Sequence, residues 1–295
     1  MGIDLKGRVA VVTGAGGGLG RSHALALARH GACVVVNDLT QDAARAVADE
    51  IVAAGGQAVA VGCSVTDREA VQAMIDGAVA RWGSIDIVVN NAGILRDRTF
   101  ANLSLDDFEL VLNVHLMGSV IVTKAGWPHM RAKGYGRVIF TTSSSGLYGN
   151  FGQSNYAAAK MGLVGLMQTL ALEGQKHGIH VNCLAPSAAT QMTEGLYSPE
   201  DLRGLSTDLV SPGVVALADE SAPTRTILLA GSGAFEQAHV TMTRGVFIGD
   251  APDAADQVAR SWNRIADRTG EQVPASGSAQ YQHEVAHPDR TAEAA

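Results

Sequence analysis

Residues 9–20 read VAVVTGAGGGLG. A four-residue apolar run passes straight into a turn with glycine at positions 14, 16, 17, 18 and 20, and a helical apolar pattern follows from Leu19 to His30. Glycine permits a tight turn and lets the backbone approach a pyrophosphate, whose charge the free N–H groups at the start of the next helix then stabilise. A glycine cluster alone is weak evidence; one placed between a strand and a helix is strong. Gly14, Gly18, Leu19 and Gly20 are therefore candidate ligands of a dinucleotide.

Outward from this unit, Val- and Ile-rich runs recur at 33–37, 59–62, 85–90, 137–142, 180–185 and 226–230, with helical patterns between them. Short runs that are apolar throughout suit strands buried on both faces. Strand alternating with helix implies right-handed crossovers into a parallel, doubly wound sheet. The expected fold class is α/β, Rossmann-type, with helices on both faces of a mainly parallel sheet. One domain is expected over 1–248, ending in the turn Gly231-Ser232-Gly233 and an extended run 239–248. Past it lies an extension, 249–295, in which Val258, Trp262 and Ile265 share one face of a helix over 253–268. From Val273 onward apolar residues are too few for a core, and a tail is expected.

Composition narrows the function. Of 295 residues 46% are hydrophobic, enough to bury a full core. A net charge of -7 disfavours nucleic acid and anionic membranes as partners. Cys33, Cys63 and Cys183 stand far apart without metal-ligand spacing, and His23, His30 and His129 lack carboxylate or cysteine partners, so no metal is expected. The opening MGIDLKGR has no leader pattern, no apolar run reaches about 18 residues, and the closing Ala294-Ala295 is not a Ser-Lys-Leu peroxisomal address. A soluble, cytoplasmic protein without a membrane span is expected. Met130, Met161 and Met167 fall in helical apolar patterns and are expected in the core.

Chemistry concentrates in two places. The first is the rim where strands end. Asn37-Asp38 closes the second strand, 24 residues after Gly14. An Asp there accepts hydrogen bonds from a ribose 2′-hydroxyl and repels a 2′-phosphate, which favours NAD over NADP; the alternative is that Asp38 only caps the next helix. Ser64 and Val65 follow the third strand, and Asn91, Ala92 and Gly93 follow the fourth. The second place is 143–160, SSSGLYGNFGQSNYAAAK. Tyr156 and Lys160 are one helical turn apart, so the ammonium is placed to lower a phenol pKa that is ordinarily about 10 and to make Tyr156 a general acid/base. Ser143, on the loop leaving a strand, can bind the same reacting oxygen. The trio suits carbonyl chemistry, and a catalytically silent dinucleotide binder has no physical reason to keep it in a dry cleft.

Thr-Gly-x-x-x-Gly-x-Gly at 13–20, Asn-Asn-Ala-Gly at 90–93, Ser143 and Tyr156-x-x-x-Lys160 stand in the order and spacing of one family. Over roughly residues 5–248 the chain resembles the short-chain dehydrogenases/reductases. The resemblance implies a seven-stranded sheet, a nicotinamide dinucleotide and oxidation of an alcohol to a carbonyl. It gives Tyr156 the acid/base role, sets Ser143 on the substrate oxygen, Lys160 on the nicotinamide ribose and Thr190 on the nicotinamide amide, and makes 187–208 a substrate lid. It also implies a homodimer or homotetramer, through a face carrying Ala157, Ala158, Ala159, Gly162 and Gly165.

The phrases VVVNDL (34–39), NNAGILRDRTF (90–100), AGWPHM (125–130), YGNFGQ (148–153) and ALEG (171–174) resemble more narrowly the (3R)-hydroxyacyl-CoA dehydrogenase domain of peroxisomal multifunctional enzyme type 2. That implies a 3-hydroxyacyl-CoA substrate, with a hydroxysteroid or another secondary alcohol as the alternative. Arg96 and Arg98 then either bind the phosphates of coenzyme A or are solvated loop charges. His115 stands where many family members carry an Asn, and it either relays a proton or packs.

Overall fold

β1 (Val9–Val12) and β4 (Ile87–Asn90) lie side by side within one sheet in the computed structural model, which describes residues 2–189 and 204–287. Every residue of both strands is buried, because helices cover both faces. The remaining strands are β2 (Cys33–Asp38), β3 (Gln57–Gly62), β5 (Gly136–Thr141), β6 (Ile179–Ser187), β7 (Ile227–Gly231) and β8 (Ala234–Ala238), in the order β3-β2-β1-β4-β5-β6-β7-β8. Neighbours from β3 through β7 run parallel. The chain winds outward from β1 to β3 and then returns past β1 to β4. At that reversal the loops leaving β1 and β4 part, which opens a crevice at the carboxyl ends of the strands.

Alternation along β1 sends Ala10 and Val12 into one core, shared with Leu27 of α1 (Gly18–Arg29), Val47 and Ile51 of α2 (Gln41–Ala53) and Val214 of α8 (Ser211–Ala218). On the other face lie α3 (Arg68–Trp82), α5 (Gly118–Lys133) and α7 (Ser154–Gly174), which bury Ile75, Met130, Leu163 and Met167. The buried stripe of α7 is Lys160, Leu163, Val164, Met167 and Ala171, a helical period. Met161 sits about 100° off that stripe and is 41% exposed, so it is not a core residue as expected. α4 (Leu105–Leu112), a π-helical turn Asn113–Met117 and α5 form one stretch, Leu105–Lys133, long and apolar enough in length and composition to cross a membrane. Polar residues interrupt it, so no single apolar run marks it, and here α5 packs on β4, β5 and α3.

The sheet has eight strands, not the expected seven. Ser232 (φ 51°) and Gly233 (φ 79°) form a two-residue turn that doubles the chain back beside β7. β8 is almost wholly exposed, so no apolar run announces it. Contacts divide the chain into Met1–Gln237 and Ala238–Ala295, earlier than the expected 248, since pairing with the sheet ends at β8. Within the second unit the expected helix 253–268 is two helices, α9 (Ala254–Arg260) and α10 (Trp262–Ile265), broken at Ser261 (φ -103°, ψ 6°). The expected tail contains α11 (Ser278–Val285), and Met242 pairs with Gln272 through two backbone hydrogen bonds of 2.9 and 3.0 Å. Polar contacts tie this region down, which an apolar count does not register.

At the amino-terminal edge of the sheet Asp86 has no exposed side-chain surface and meets Lys133 Nζ at 2.5 Å and Arg8 at 3.8 Å. Its other oxygen accepts hydrogen bonds from Val9 N–H (2.9 Å) and Ser84 Oγ–H (2.8 Å). Asp86→Ala leaves two cations and two donors without their acceptor and is expected to cost about 3 kcal/mol or more, read as a lowered midpoint in denaturant unfolding.

Candidate active site

The site begins with the turn after β1. Gly14 (φ 61°) and Gly18 (φ 50°) take the left-handed conformation. A Cβ on Gly14 would stand 2.8 Å from Ala92 Cα, and one on Gly20 would stand 2.1 Å from the Gly14 carbonyl oxygen. Thr13 Oγ1 accepts from the N–H groups of Asn91 (3.0 Å) and Ala92 (3.1 Å), while Asn91 Nδ2 donates to the carbonyls of Thr13 (3.0 Å) and Gly14 (3.2 Å). The turn is thus pinned to the end of β4. Helix α1 starts from Gly17 with no side-chain cap and no acidic residue in its first turn, so its leading amides remain open to an anion, and half-buried Leu19 packs on the core. These residues fit the pyrophosphate of a dinucleotide.

Asp38 ends β2 and accepts 2.8 Å hydrogen bonds from Gly16 N–H and Leu39 N–H, one on each oxygen. The cap of α2 is Thr40, whose hydroxyl accepts from Ala43 N–H, so Asp38 is not the helix cap and keeps lone pairs for a hydroxyl partner. Ser64 Oγ and Thr66 Oγ1 are 2.8 Å apart, and Val65 is buried against Gly118, where a Cβ would come within 2.6 Å. Asn37 Nδ2 donates to the carbonyls of Val61 and Cys63, both at 3.1 Å, and so fixes the ends of β2 and β3 together.

Ser143 caps α6 (Ser144–Tyr148), its hydroxyl accepting from Ser145 N–H (3.2 Å), and it favours the Tyr156 phenolate against burial. Lys160 is buried, its Nζ 2.5 Å from the Thr141 carbonyl oxygen and 5.4 Å from the centroid of the Tyr156 ring. Burial lowers the Lys160 pKa from 10.5 to about 7. Tyr156 moves the opposite way from the sequence-based expectation: burial raises its pKa, the Ser143 bond opposes that, and the Asp97 charge adds to it. Desolvation leads because the phenolate is the form that a dry pocket disfavours.

His115 sits in the π-helical turn, which Ser119 Oγ braces by donating to the His115 carbonyl (2.6 Å). Its Nε2 lies 2.7 Å from the carbonyl oxygen and 3.0 Å from the nitrogen of Ile94, and its ring meets the Tyr156 ring edge-on with centroids 5.2 Å apart. Gly93 is required there, since a Cβ would come 2.2 Å from the imidazole. Burial first, and then the Lys160 charge, lower the His115 pKa to about 3, so the ring is neutral near pH 7.

The phrases 90–100 and 148–153 prove to be neighbours in space. Asp97 Oδ2 accepts from Gln153 Nε2 (2.7 Å), Arg98 N–H donates to the Gly152 carbonyl (3.0 Å), and Asn155 Nδ2 donates to the Arg96 carbonyl (3.0 Å). Asn155 Oδ1 also accepts from the N–H of Tyr156 (2.8 Å). Neither Asp97, Gln153 nor Asn155 belongs to a local motif; the only signal was that both phrases resemble the same branch of the family. Arg96 is exposed and 3.5 Å from Asp107, and Arg98 is exposed. Thr190, and most of the segment 187–208, lie outside the described residues. The end of that segment is tied to α1: Ser22 Oγ donates to Asp208 (2.7 Å), Ser211 Oγ donates to Ser22 Oγ (2.8 Å), and His23 Nδ1 lies 2.8 Å from Ser211 Oγ.

An amine with a pKa below its unfolded value penalises the fold wherever it must be charged. For Lys160 the penalty is complete below about pH 7 and fades as pH rises towards 10.5. Lys160→Met is therefore expected to be more stable than wild type near pH 6, with the advantage shrinking as pH rises from 7 to 10 in paired denaturant melts.

The short chain dehydrogenase family model matches residues 8–201. A short-chain type dehydrogenase/reductase of Mycobacterium tuberculosis is 47% identical over 279 residues, 91% of this chain and 97% of that one. Peroxisomal multifunctional enzyme type 2 of Mus musculus is 44% identical over 285 residues, 92% of this chain but 38% of that enzyme. A hydroxyacyl-CoA dehydrogenase of Mycobacterium tuberculosis is 42% identical over 223 residues, 71% of this chain and 70% of the other. The crystal structure of a short chain dehydrogenase from Mycobacterium avium matches with a TM-score of 0.80 at 38% identity, covering 94% of this chain and 100% of that one. With a family model over most of its length and a full-length relative at 47% identity, the chain belongs to the short-chain dehydrogenases, oxidoreductases that bind a nicotinamide dinucleotide.

Proposed function

We propose that this oxidoreductase uses NAD to interconvert a secondary alcohol and a ketone, with a 3-hydroxyacyl-CoA as the alcohol. The observation that carries the chemistry is the corner in which Lys160 Nζ stands 5.4 Å from the centroid of the Tyr156 ring, with His115 edge-on to that ring and Ser143 acting on its phenol. Ser143 donates a hydrogen bond to the substrate oxygen and fixes its position. Tyr156 takes the hydroxyl proton during oxidation and returns it during reduction. Lys160, with a pKa near the working pH, holds the ribose and passes the proton onward. The bound nicotinamide supplies the hydride acceptor or donor. His115 stays neutral and acts by holding Ile94 against the Tyr156 side of the cleft.

Asp38 supports NAD. It is fixed at the turn by Gly16 N–H, and its charge repels a 2′-phosphate. Asp38→Ala is expected to narrow the preference for NAD over NADP at least about tenfold in kcat/KM, a change of about 1.4 kcal/mol; unchanged discrimination removes the assignment.

Support for the acyl-CoA substrate comes from the relative that is a hydroxyacyl-CoA dehydrogenase and from the apolar residues Phe100 (78% exposed), Tyr148 (69%) and Phe151 (89%), which flank the two loops of the cleft. They suit an acyl chain. They suit a steroid as well, which stands as the second reading. The exposed stripe Ala158, Met161 and Gly165 on α7 suits a second copy of the chain, as a homodimer or homotetramer requires. Chain-length-varied 3-hydroxyacyl-CoA esters, tested beside hydroxysteroids with NAD while NADH absorbance is followed, are expected to show turnover with the esters. Tyr156→Phe is expected to lose at least about a hundredfold in kcat. Full activity in that variant sinks the mechanism, and turnover of steroids alone sinks the substrate.

A further inference from the structure

We propose that Asn155 is a positioning residue for the proton transfer: its side chain ties the Tyr156 backbone to the loop 94–98 and so fixes where the Tyr156 phenol stands relative to Lys160. The proposal rests on the dehydrogenase reading above and adds a residue to it.

Tyr156 and Lys160 are one turn apart on α7, yet they are not anchored alike. Lys160 is held to the end of β5 at two points: its carbonyl accepts from Thr142 Oγ1 (2.7 Å), and its Nζ donates to the Thr141 carbonyl (2.5 Å). Tyr156 is the third residue of the helix. The first turn of a helix has free N–H groups and frays unless something holds it. The ordinary remedy is a capping side chain, and α7 lacks one. Gln153, at the cap position, gives the helix no side-chain hydrogen bond and reaches Asp97 Oδ2 (2.7 Å) instead.

Asn155 supplies what the cap does not. It is fully buried, its Oδ1 accepts from the Tyr156 N–H (2.8 Å), and its Nδ2 donates to the Arg96 carbonyl (3.0 Å). Only one orientation of the amide makes both bonds, because the N–H needs the oxygen and the carbonyl needs the nitrogen. The same loop also borders the other end of Tyr156. Ile94 pairs with His115 Nε2 (2.7 Å), and the His115 ring meets the Tyr156 ring edge-on with centroids 5.2 Å apart. The loop 94–98 thus holds Tyr156 by its backbone through Asn155 and flanks its ring through His115. Proton transfer needs its groups within hydrogen-bond reach, and a misplacement of about 1 Å costs on the order of a hundredfold in rate.

Asn155→Ala removes both bonds and leaves Lys160, Ser143 and the glycine turn in place. Amide hydrogen exchange is measured in the protein without added dinucleotide. The Tyr156 amide is expected to exchange at least about tenfold faster in the variant, with the amides of Leu163 and Met167 unchanged. In oxidation of a 3-hydroxyacyl-CoA by NAD, kcat is expected to fall at least about tenfold, while the Kd for NAD, read by titration calorimetry, stays within about twofold. A residue that only stabilises the fold lowers the thermal midpoint and leaves the kcat of the folded protein alone; that result overturns the proposal. An unmoved Tyr156 amide overturns it as well. If Asn155→Ala does not fold, Asn155→Leu serves, similar in shape without either polar atom, with the same outcomes. Because exchange needs no turnover, a protein that oxidises no alcohol yet shows the faster Tyr156 amide loses the dehydrogenase reading while the anchoring of Tyr156 by Asn155 stands.

Discussion

One hydroxyl, that of Thr13, takes two amide hydrogens from the chain leaving β4, and Asn91 returns two hydrogen bonds to the chain leaving β1. This reciprocal lock lies where the sheet reverses its winding, the point at which the two loops would otherwise be free to drift apart. The left-handed glycines, the open amides of α1 and the close packing of Gly20 on Gly14 all presuppose it. So does the corner around Tyr156, because the loop that leaves Asn91 continues into Ile94 and Asp97, which meet His115 and Gln153. One short lock therefore fixes the glycine turn and the loop that leads to Asp97 together.

The second organising constraint is dryness. Lys160, His115 and Tyr156 all shift towards their neutral forms, and desolvation is the leading cause in each. The π-helical turn is part of that design: it brings the His115 ring under Gly93, where only a glycine leaves room, and spends its Nε2 on Ile94. Gly146 plays the matching part on the other side. A Cβ there would come within 2.7 Å of Lys160 Cβ, so glycine lets α6 seal α7 at the lysine, a steric reason independent of any substrate.

Much of this was legible in the sequence for a definite reason. Strands β1, β4 and β5 are buried on both faces, and so β1 reads as apolar throughout while β4 and β5 carry the apolar runs Ile87-Val88-Val89 and Val138-Ile139-Phe140. β8 pairs through its backbone at an exposed edge and carries no such run, and the split of the 253–268 helix depends on the backbone angles of one residue, Ser261. In the site, the residues set by local chemistry stood out: Gly14, Asp38, Ser143, Tyr156 and Lys160. Those set by partners far along the chain did not. Gln153 and Asp97 are 56 positions apart, and Asn37 acts on carbonyls beyond the next helix, so no short spacing records either.

The chain just after β6 meets the chain just before α8, and the latter is tied to α1. Ala189 N–H donates to the Leu205 carbonyl at 2.7 Å, and Asp208 is bound by Ser22 of α1. A disturbance at Asp208 is therefore passed to α1, the helix whose open leading amides suit an anion.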